Sequence, residues 1–280
     1  FEIFFSILEI LIKHLSLTST NTGFAPTLTI AETVGIAVKE TVITSSPGLM
    51  PDAIKATINA YHTVWGDRTL RRSTSIDDQG VRIIYSGVEQ THQGVEGEMT
   101  WYPSNRLRIK GMVSLGDWKY TKNFQGDAYF IDNNQPAGNT GTLYLDGVKI
   151  GDAAQTVLYL GFDYKLSSKL SVDLDMMSYD NLHGRFGPLD SEFNSADNRG
   201  SIKLPSWGTA DLGATYSFNL LGYDARARLN VNNLFDEEYL SQSQTNFHND
   251  GGRTWNGVNV ENNVYFGKGT TWNLGLNINF

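Results

Sequence analysis

"TVLYLGFDYKLSSKLSVDLDMMS", residues 156–178, is the stretch on which the fold turns. Leu158, Leu160, Phe162, Tyr164 and Leu166 fall on one side of an extended chain, and Tyr159, Gly161, Asp163 and Lys165 on the other. After Ser167-Ser168-Lys169 the alternation resumes, with Leu170, Val172, Leu174 and Met176 against Ser171, Asp173 and Asp175. Successive side chains of a strand point to opposite faces, so each run reads as a strand with one apolar and one polar side. Two such runs around a short polar turn make an antiparallel hairpin.

The same pattern spreads in both directions. "TADLGATYSFN" sets Ala210, Leu212, Ala214, Tyr216 and Phe218 against Asp211, Gly213, Thr215 and Ser217. "YDARARLNVN" sets Tyr223, Ala225, Ala227, Leu229 and Val231 against Asp224, Arg226, Arg228 and Asn230. "TWNLGLNINF" closes the chain with Trp272, Leu274, Leu276, Ile278 and Phe280 against Asn273, Gly275, Asn277 and Asn279. Eight strands are expected, at about 56–72, 81–102, 106–121, 153–166, 169–181, 205–218, 223–238 and 268–280. Short turns fall at 103–105, 167–169 and 219–222. Long polar loops fall at 122–152, 182–204 and 239–267, and "STSIDDQG" forms a shorter loop between the first two strands.

Short turns on one side and long loops on the other are the signature of a transmembrane β-barrel. A soluble antiparallel sandwich also alternates, but two features favour the barrel. The strands run well beyond the roughly 5–6 residues usual in soluble sheets. The apolar side also carries aromatics near strand ends (Trp101, Tyr164, Tyr216, Phe218, Tyr223, Trp272 and Phe280), where interfacial girdles belong. The Asp, Arg, Lys and Asn of the other side suit a hydrated lumen and would be costly in a dry core.

Composition narrows the function classes. A net charge of −8 argues against nucleic acid as a partner. The absence of cysteine removes disulfides, thiol nucleophiles and thiolate metal sites. No run of 18 apolar residues marks a membrane-spanning helix. The apolar opening "FEIFFSILEILIKHL" is broken by Glu2 and Glu9 and lacks a basic start and a small-residue cleavage site, so it does not read as a signal peptide. Residues 1–50 stay outside the pattern as an unassigned segment, with room for one further strand near 31–42; residues 51–280 are the barrel part. The missing initiator Met reads as a piece of a longer chain.

"LNVNNLFDEEYLSQ" (229–242), followed by "GKGTTWNLGLNINF" (267–280), resembles the end of TonB-dependent outer-membrane receptors. The matching signature is Asn233, Leu234, Phe235, Asp236 and Tyr239, with a last strand ending on the aromatic Phe280. "GVEGEMTWYPSNRLRIKGMVSLGDWKY" (94–120) and "INAYHTVWGDRTL" (58–70) are similar to strands of that family, so the resemblance covers roughly 54–280. It implies an all-β fold, the C-terminal portion of a 22-strand barrel in the outer membrane of a Gram-negative bacterium, with eight or nine strands and long extracellular loops. It implies energised uptake of a scarce nutrient of the siderophore, cobalamin or oligosaccharide class. The implied partners are membrane lipid, the barrel-assembly machinery reading Phe280, and the TonB energising complex acting through a plug domain that these residues do not include. A small self-closing eight-stranded barrel with an anchoring or adhesive role is the alternative reading.

No enzyme constellation emerges, and no catalytic, cofactor-binding or metal residue is assigned. The histidines (His14, His62, His92, His183 and His248) lack metal spacing, although His62 and His92 can approach across the first hairpin. The acidic loop 187–200 misses the twelve-residue Ca²⁺ template and reads as a solvated loop. Loops 245–263 (His248, Arg253, Trp255) and 126–147 (Tyr129, Phe130, Tyr144) mix aromatics with amides. Such loops either hold a polar small-molecule or oligosaccharide ligand or pack on one another.

Overall fold

The computed structural model describes residues 37–43, 54–76, 78–187 and 190–280. The chain divides into units of residues 1–32 and 33–280, and all described residues belong to the second. Its strands are β1 (Ala37–Ile43), β2 (Ile54–Ile76), β3 (Gln79–Ser104), β4 (Leu107–Tyr120), β5 (Phe124–Phe130), β6 (Pro136–Leu143), β7 (Thr156–Lys165) and β8 (Leu170–Asp180). They continue as β9 (Trp207–Leu220), β10 (Tyr223–Asn232), β11 (Leu240–Ser243), β12 (Thr254–Trp255), β13 (Val258–Asn259), β14 (Val264–Phe266) and β15 (Thr271–Asn279). One antiparallel sheet runs in the order β1-β2-β3-β4-β7-β8-β9-β10-β15, with β5 and β6 off the path. Among the described residues it is open: β1 and β15 do not pair, and the self-closing alternative finds no support in the ladder.

Turn chemistry explains the tight lower ends. The Ser104 hydroxyl accepts the N–H of Arg106 and of Leu107, both at 3.2 Å. Ser167 repeats the device with Lys169 (3.1 Å) and Leu170 (3.0 Å). At the third turn Leu221 (φ +54°) and Gly222 (φ +94°) are both left-handed. That is the two-residue hairpin geometry matching strand twist.

Register fixes the faces. Leu212 pairs with Val231 and Val231 with Trp272, while Ala214, Leu229 and Leu274 form the next row. Asp173, Gly213, Asn230 and Asn273 form a row on the opposite side. The outward side carries its aromatics at the rims. Tyr216 stacks with Phe218 and Tyr223 meets Phe280 edge-on near the lower turns, while Trp272 lies at the upper end of β15.

Four expectations need correction. The loop foreseen at 73–80 is strand: β2 and β3 continue to a hairpin tip at 76–79. Loop 122–152 contains the hairpin β5–β6, and β5 adds to the upper half of β3. The strand foreseen at 223–238 stops at Asn232 because Asn233 is left-handed at φ +48°. Loop 239–267 holds two small ladders, β11–β14 and β12–β13. Upstream, β1 pairs with the start of β2 and supplies a strand in the region where one near 31–42 was allowed; residues 31–36 lie outside the described residues.

Candidate ligand-facing wall and loops

The inward side of the sheet is a connected polar ladder. Asp163 accepts from Arg108 at 2.9 Å and lies 3.4 Å from Lys110, which in turn lies 3.6 Å from Asp175. Tyr159 donates to Asp175. Further along, Arg228 grips both oxygens of Asp173 (2.5 and 2.7 Å), gives Nε to Asn230 (2.7 Å) and reaches Thr215 (3.0 Å), and Asn230 passes a bond to Asn273 (2.9 Å). Bidentate Arg–carboxylate pairing is the strong, geometry-specific form of this contact. Glycine makes room for it. A Cβ at Gly213 would collide with the Arg228 guanidinium and the Asp173 carboxylate, and one at Gly161 with the Tyr159 hydroxyl.

Higher on the same side the wall turns aromatic. Trp65 stacks on His92 (5.2 Å between centroids), which leans on Trp118 (5.4 Å). Trp118 donates its indole N–H to the Tyr61 hydroxyl at 2.8 Å, and Arg68 lies over Trp65 while donating to Gln90 at 2.6 Å. A second stack joins Tyr179, Trp207 and Tyr239, with spacings of 4.1 and 3.8 Å. Tyr239 lies flat on Gly267, where no side chain would fit.

Tyr239 is held there by the Asn-Leu-Phe-Asp turn. The buried Asn233 amide donates to the carbonyls of Glu237 and Lys268 (3.0 Å each), and its oxygen accepts the Glu237 N–H (2.9 Å). Its own N–H goes to Asp211 (2.8 Å), and Thr270 donates to its carbonyl (2.7 Å). Asp236, also left-handed (φ +53°), accepts the Thr270 N–H at 2.8 Å. The turn therefore ties β9, the end of β10 and the start of β15 together. Phe235 points away and is exposed.

Above the wall the loops fold into two small cores. One packs Val81, Ile83 and Tyr85 of β3 with Phe124, Leu143, Leu145 and Phe193; the other packs Leu182, Ile202, Leu204, Leu240 and Val258. Of the loop residues singled out from sequence, Phe130 packs on the first core and Trp255 on the second, while Arg253 stays exposed. Tyr144 is tied by its backbone to Phe193 and Asn198. The polar run after Tyr239 is partly interior: Ser243 is fully buried and donates to the Thr245 carbonyl.

The acidic loop is self-satisfied. Arg199 donates to Glu192 through Nε (3.1 Å), Nη2 (2.8 Å) and its backbone N–H (2.6 Å), and to Asp250 through Nη1 (2.5 Å). The Arg199 bonds hold the Glu192 carboxyl down at about 2. Asp190 caps the short 3₁₀ turn Ser191–Asn194, and Asp197 accepts from Ser195. The first two singled-out histidines do not converge. His62 bonds Gln93 (3.1 Å) on the outward side, whereas His92 lies inward in its aromatic stack. His183 is half-buried, and this desolvation lowers its pKa; it faces the Ser201 carbonyl (3.2 Å). The Ser201 hydroxyl donates to the Lys149 carbonyl (2.8 Å) and also lies 3.3 Å from His183 Nδ1. His248 bonds the Gly200 carbonyl at 2.9 Å; His14 lies outside the described residues.

Sequence reasoning missed the glycine gaps and the β5–β6 core. The signal for the core was present: Phe124, Gly126, Ala128 and Phe130 alternate with Gln125, Asp127 and Tyr129.

A long-stranded antiparallel sheet, apolar with aromatic rims outside and charged inside, capped by folded loops at one end, defines the wall of an outer-membrane type of barrel. Family comparison gives the particular kind. The TonB dependent receptor-like, beta-barrel family matches residues 18–234, and the chain belongs to that family. No curated protein matches the chain. Among solved structures it is similar to the ferric-catecholate import receptor Fiu from K12 E. coli in its closed form, with a TM-score of 0.45 and 14% sequence identity. That similarity covers 88% of this chain and 32% of the receptor, so the chain spans about a third of its length. The family is one of Gram-negative outer-membrane receptors.

Proposed function

We propose that this chain forms part of the wall and outer mouth of a receptor that captures a scarce polar nutrient at the cell surface and passes it inward under the control of the TonB energising complex. It is a receptor and transporter wall, not an enzyme. The observation that carries the reading is the continuity of one face. The ionic ladder of Arg108, Asp163, Lys110, Asp175, Asp173 and Arg228 lies on the same side of the sheet as the Trp65–His92–Trp118 and Tyr179–Trp207–Tyr239 stacks, and the loop cores stand at its upper end.

Such a face offers stacking, hydrogen bonds and both signs of charge to a polar ligand, and it would be expensive against lipid. Siderophore, cobalamin and oligosaccharide ligands all fit that chemistry. Capture falls to the outer loops, release to a plug domain contributed by the complete receptor. Residues 51–280, with β1, are assigned to the wall, and Phe280 to recognition by the assembly machinery. An open sheet in hydrocarbon leaves edge N–H and C=O groups unpaired at several kcal/mol each, so β1 and β15 must meet further strands.

The test is uptake. A strain lacking the gene is compared with its parent for growth on, and accumulation of, labelled members of the three ligand classes, with and without the energising complex. One class should be lost in the deletion and equally lost without the complex. Undiminished, complex-independent uptake of all three would refute the proposal.

A further inference from the structure

At its lower end the inward wall borders a cavity of about 440 Å³, whose lining includes Arg106, Arg108, Asp163, Lys165, Ser171 and Asp173. Leu107 pairs with Tyr164 and Arg108 with Asp163, which brings Arg106 opposite Lys165; the Lys165 N–H donates to the Arg106 carbonyl at 2.8 Å. Arg106 and Lys165 lie two residues from Arg108 and Asp163 on their strands, so they share the inward side. Lys165 pairs in turn with Ser171. The row therefore reads cation, cation, hydroxyl, all of them donors. Like charges directly opposed on a ladder are destabilising, and the carboxylates one row up are already engaged. Asp163 serves Arg108 and Lys110, and Asp173 serves Arg228. Arg106 and Lys165 are both exposed, and neither forms an ion pair with a described residue. Two fixed positive charges thus face one cavity in a chain whose net charge is −8.

We infer that Arg106, Lys165 and Ser171 form an anion subsite at the exit end of the wall, which takes a carboxylate or phosphate group of the nutrient as it leaves. The inference rests on the receptor reading and orientation proposed above. A planar guanidinium matches two oxygens of such a group, and the ammonium opposite adds a compact point charge. An anion between them offsets the repulsion that the register builds in. The hydroxyl of Ser171 supplies a further donor. The paired charges of the ladder above have no such surplus, so an anionic group moving down the wall meets its first uncompensated cations here.

The experiment uses the natural, complete gene product in mild detergent, with heat-modifiable migration as the check that each variant is folded. Binding of two probes, citrate and inorganic phosphate, is measured by titration calorimetry at low salt. The parent and the outward-facing control Lys119→Gln should bind a probe saturably, and more weakly at high salt. Arg106→Gln/Lys165→Gln should bind it about tenfold more weakly, the scale of one lost charged hydrogen bond. Ser171→Asp, which sets a carboxylate beside Lys165 and keeps both cations, should weaken it by a similar factor and serves if the double variant does not fold. Equal binding by the parent and these variants would overturn the inference. So would the absence of saturable binding to the complete receptor, as when an acid of its plug domain already fills the cavity. In cells, whichever of the labelled siderophore, cobalamin or oligosaccharide probes the parent accumulates should enter several-fold more slowly in the double variant at unchanged surface binding; an unchanged rate would overturn the exit role. A parent that accumulates none of them would refute the receptor reading and leave the calorimetric result standing.

Discussion

Asn233 is the most exacting single test of how the wall is fastened. Its side chain makes three hydrogen bonds inside a buried turn, two donated to carbonyls of Glu237 and Lys268 and one accepted from the Glu237 N–H. At a net ~1 kcal/mol each, Asn233→Ala loses about 3 kcal/mol. The backbone adds to this: φ is +48°, a region Asn tolerates and Ala does not, for about 1 kcal/mol more. Asn233→Ala should therefore cost about 4 kcal/mol, and Asn233→Gly about 3 kcal/mol because only the hydrogen bonds are lost. Asn233→Asp should be no better than Ala, since it sets a carboxylate against two carbonyls. The neighbour Asn232 supplies the control: it is exposed, and its side chain makes one 3.2 Å bond to Thr271. Asn232→Ala should cost about 0.5 kcal/mol. The assay is reversible urea unfolding of the vesicle-refolded protein, followed by tryptophan fluorescence. Asn233→Ala no more destabilising than Asn232→Ala would refute the reasoning.

Three further outcomes follow from other parts of the wall. Leu274→Arg, at a position 67% exposed on the outward side, should cost roughly 2–4 kcal/mol if near the bilayer midplane, measured by the same unfolding assay, while Asn273→Asp on the inward side should cost far less. Leu221→Asn should stabilise by about 1 kcal/mol, because Leu is strained at φ +54° in a turn that favours Asn-Gly; an unchanged unfolding midpoint would count against that turn. The Glu192 carboxyl is held at about 2 against 4.5 for a free one, so its contribution is complete above pH 4.5 and is lost as the pH falls toward 2. Proteolysis of loop 181–206 should accordingly be faster in Glu192→Gln than in the parent at pH 7, and the two should converge near pH 2 when probed with an acid-active protease.

Much of the wall was legible because a membrane enforces the alternation that sequence reading detects. Leu158, Leu160 and Phe162 against Tyr159, Gly161 and Asp163 state the strand, its faces and its partner. Legibility ended toward the upper ends of the longest strands. There both faces of β2 and β3 meet water or folded loops, so Ser73–Ile76 carries no apolar stripe, although its backbone continues the ladder. The stop at Asn232 was hidden because Asn233 to Asp236 look polar enough to prolong a strand; the left-handed Asn233 that ends it shows only in the coordinates. The glycines opposite Tyr159 and Arg228 were equally silent, since a gap gains meaning only once its cross-strand neighbour is known. Among the loop residues, Phe130 and Trp255 packed on the two cores while Arg253 stayed in solvent, a partition set by long-range contacts that spacing does not encode.

The account stands or falls on which ends and faces of the sheet meet water, lipid and the cell exterior. Single cysteines at Arg253 in an outer loop, Asn105 in a lower turn and Leu274 on the outward side, in a chain whose 280 residues hold no cysteine, are exposed to a membrane-impermeant thiol reagent on intact cells. Arg253→Cys should label at once, Asn105→Cys only after the outer membrane is permeabilised, and Leu274→Cys in neither condition. Labelling of Asn105→Cys but not Arg253→Cys on intact cells would invert the topology, and labelling of Leu274→Cys as strong as that of Arg253→Cys would contradict a lipid-facing wall.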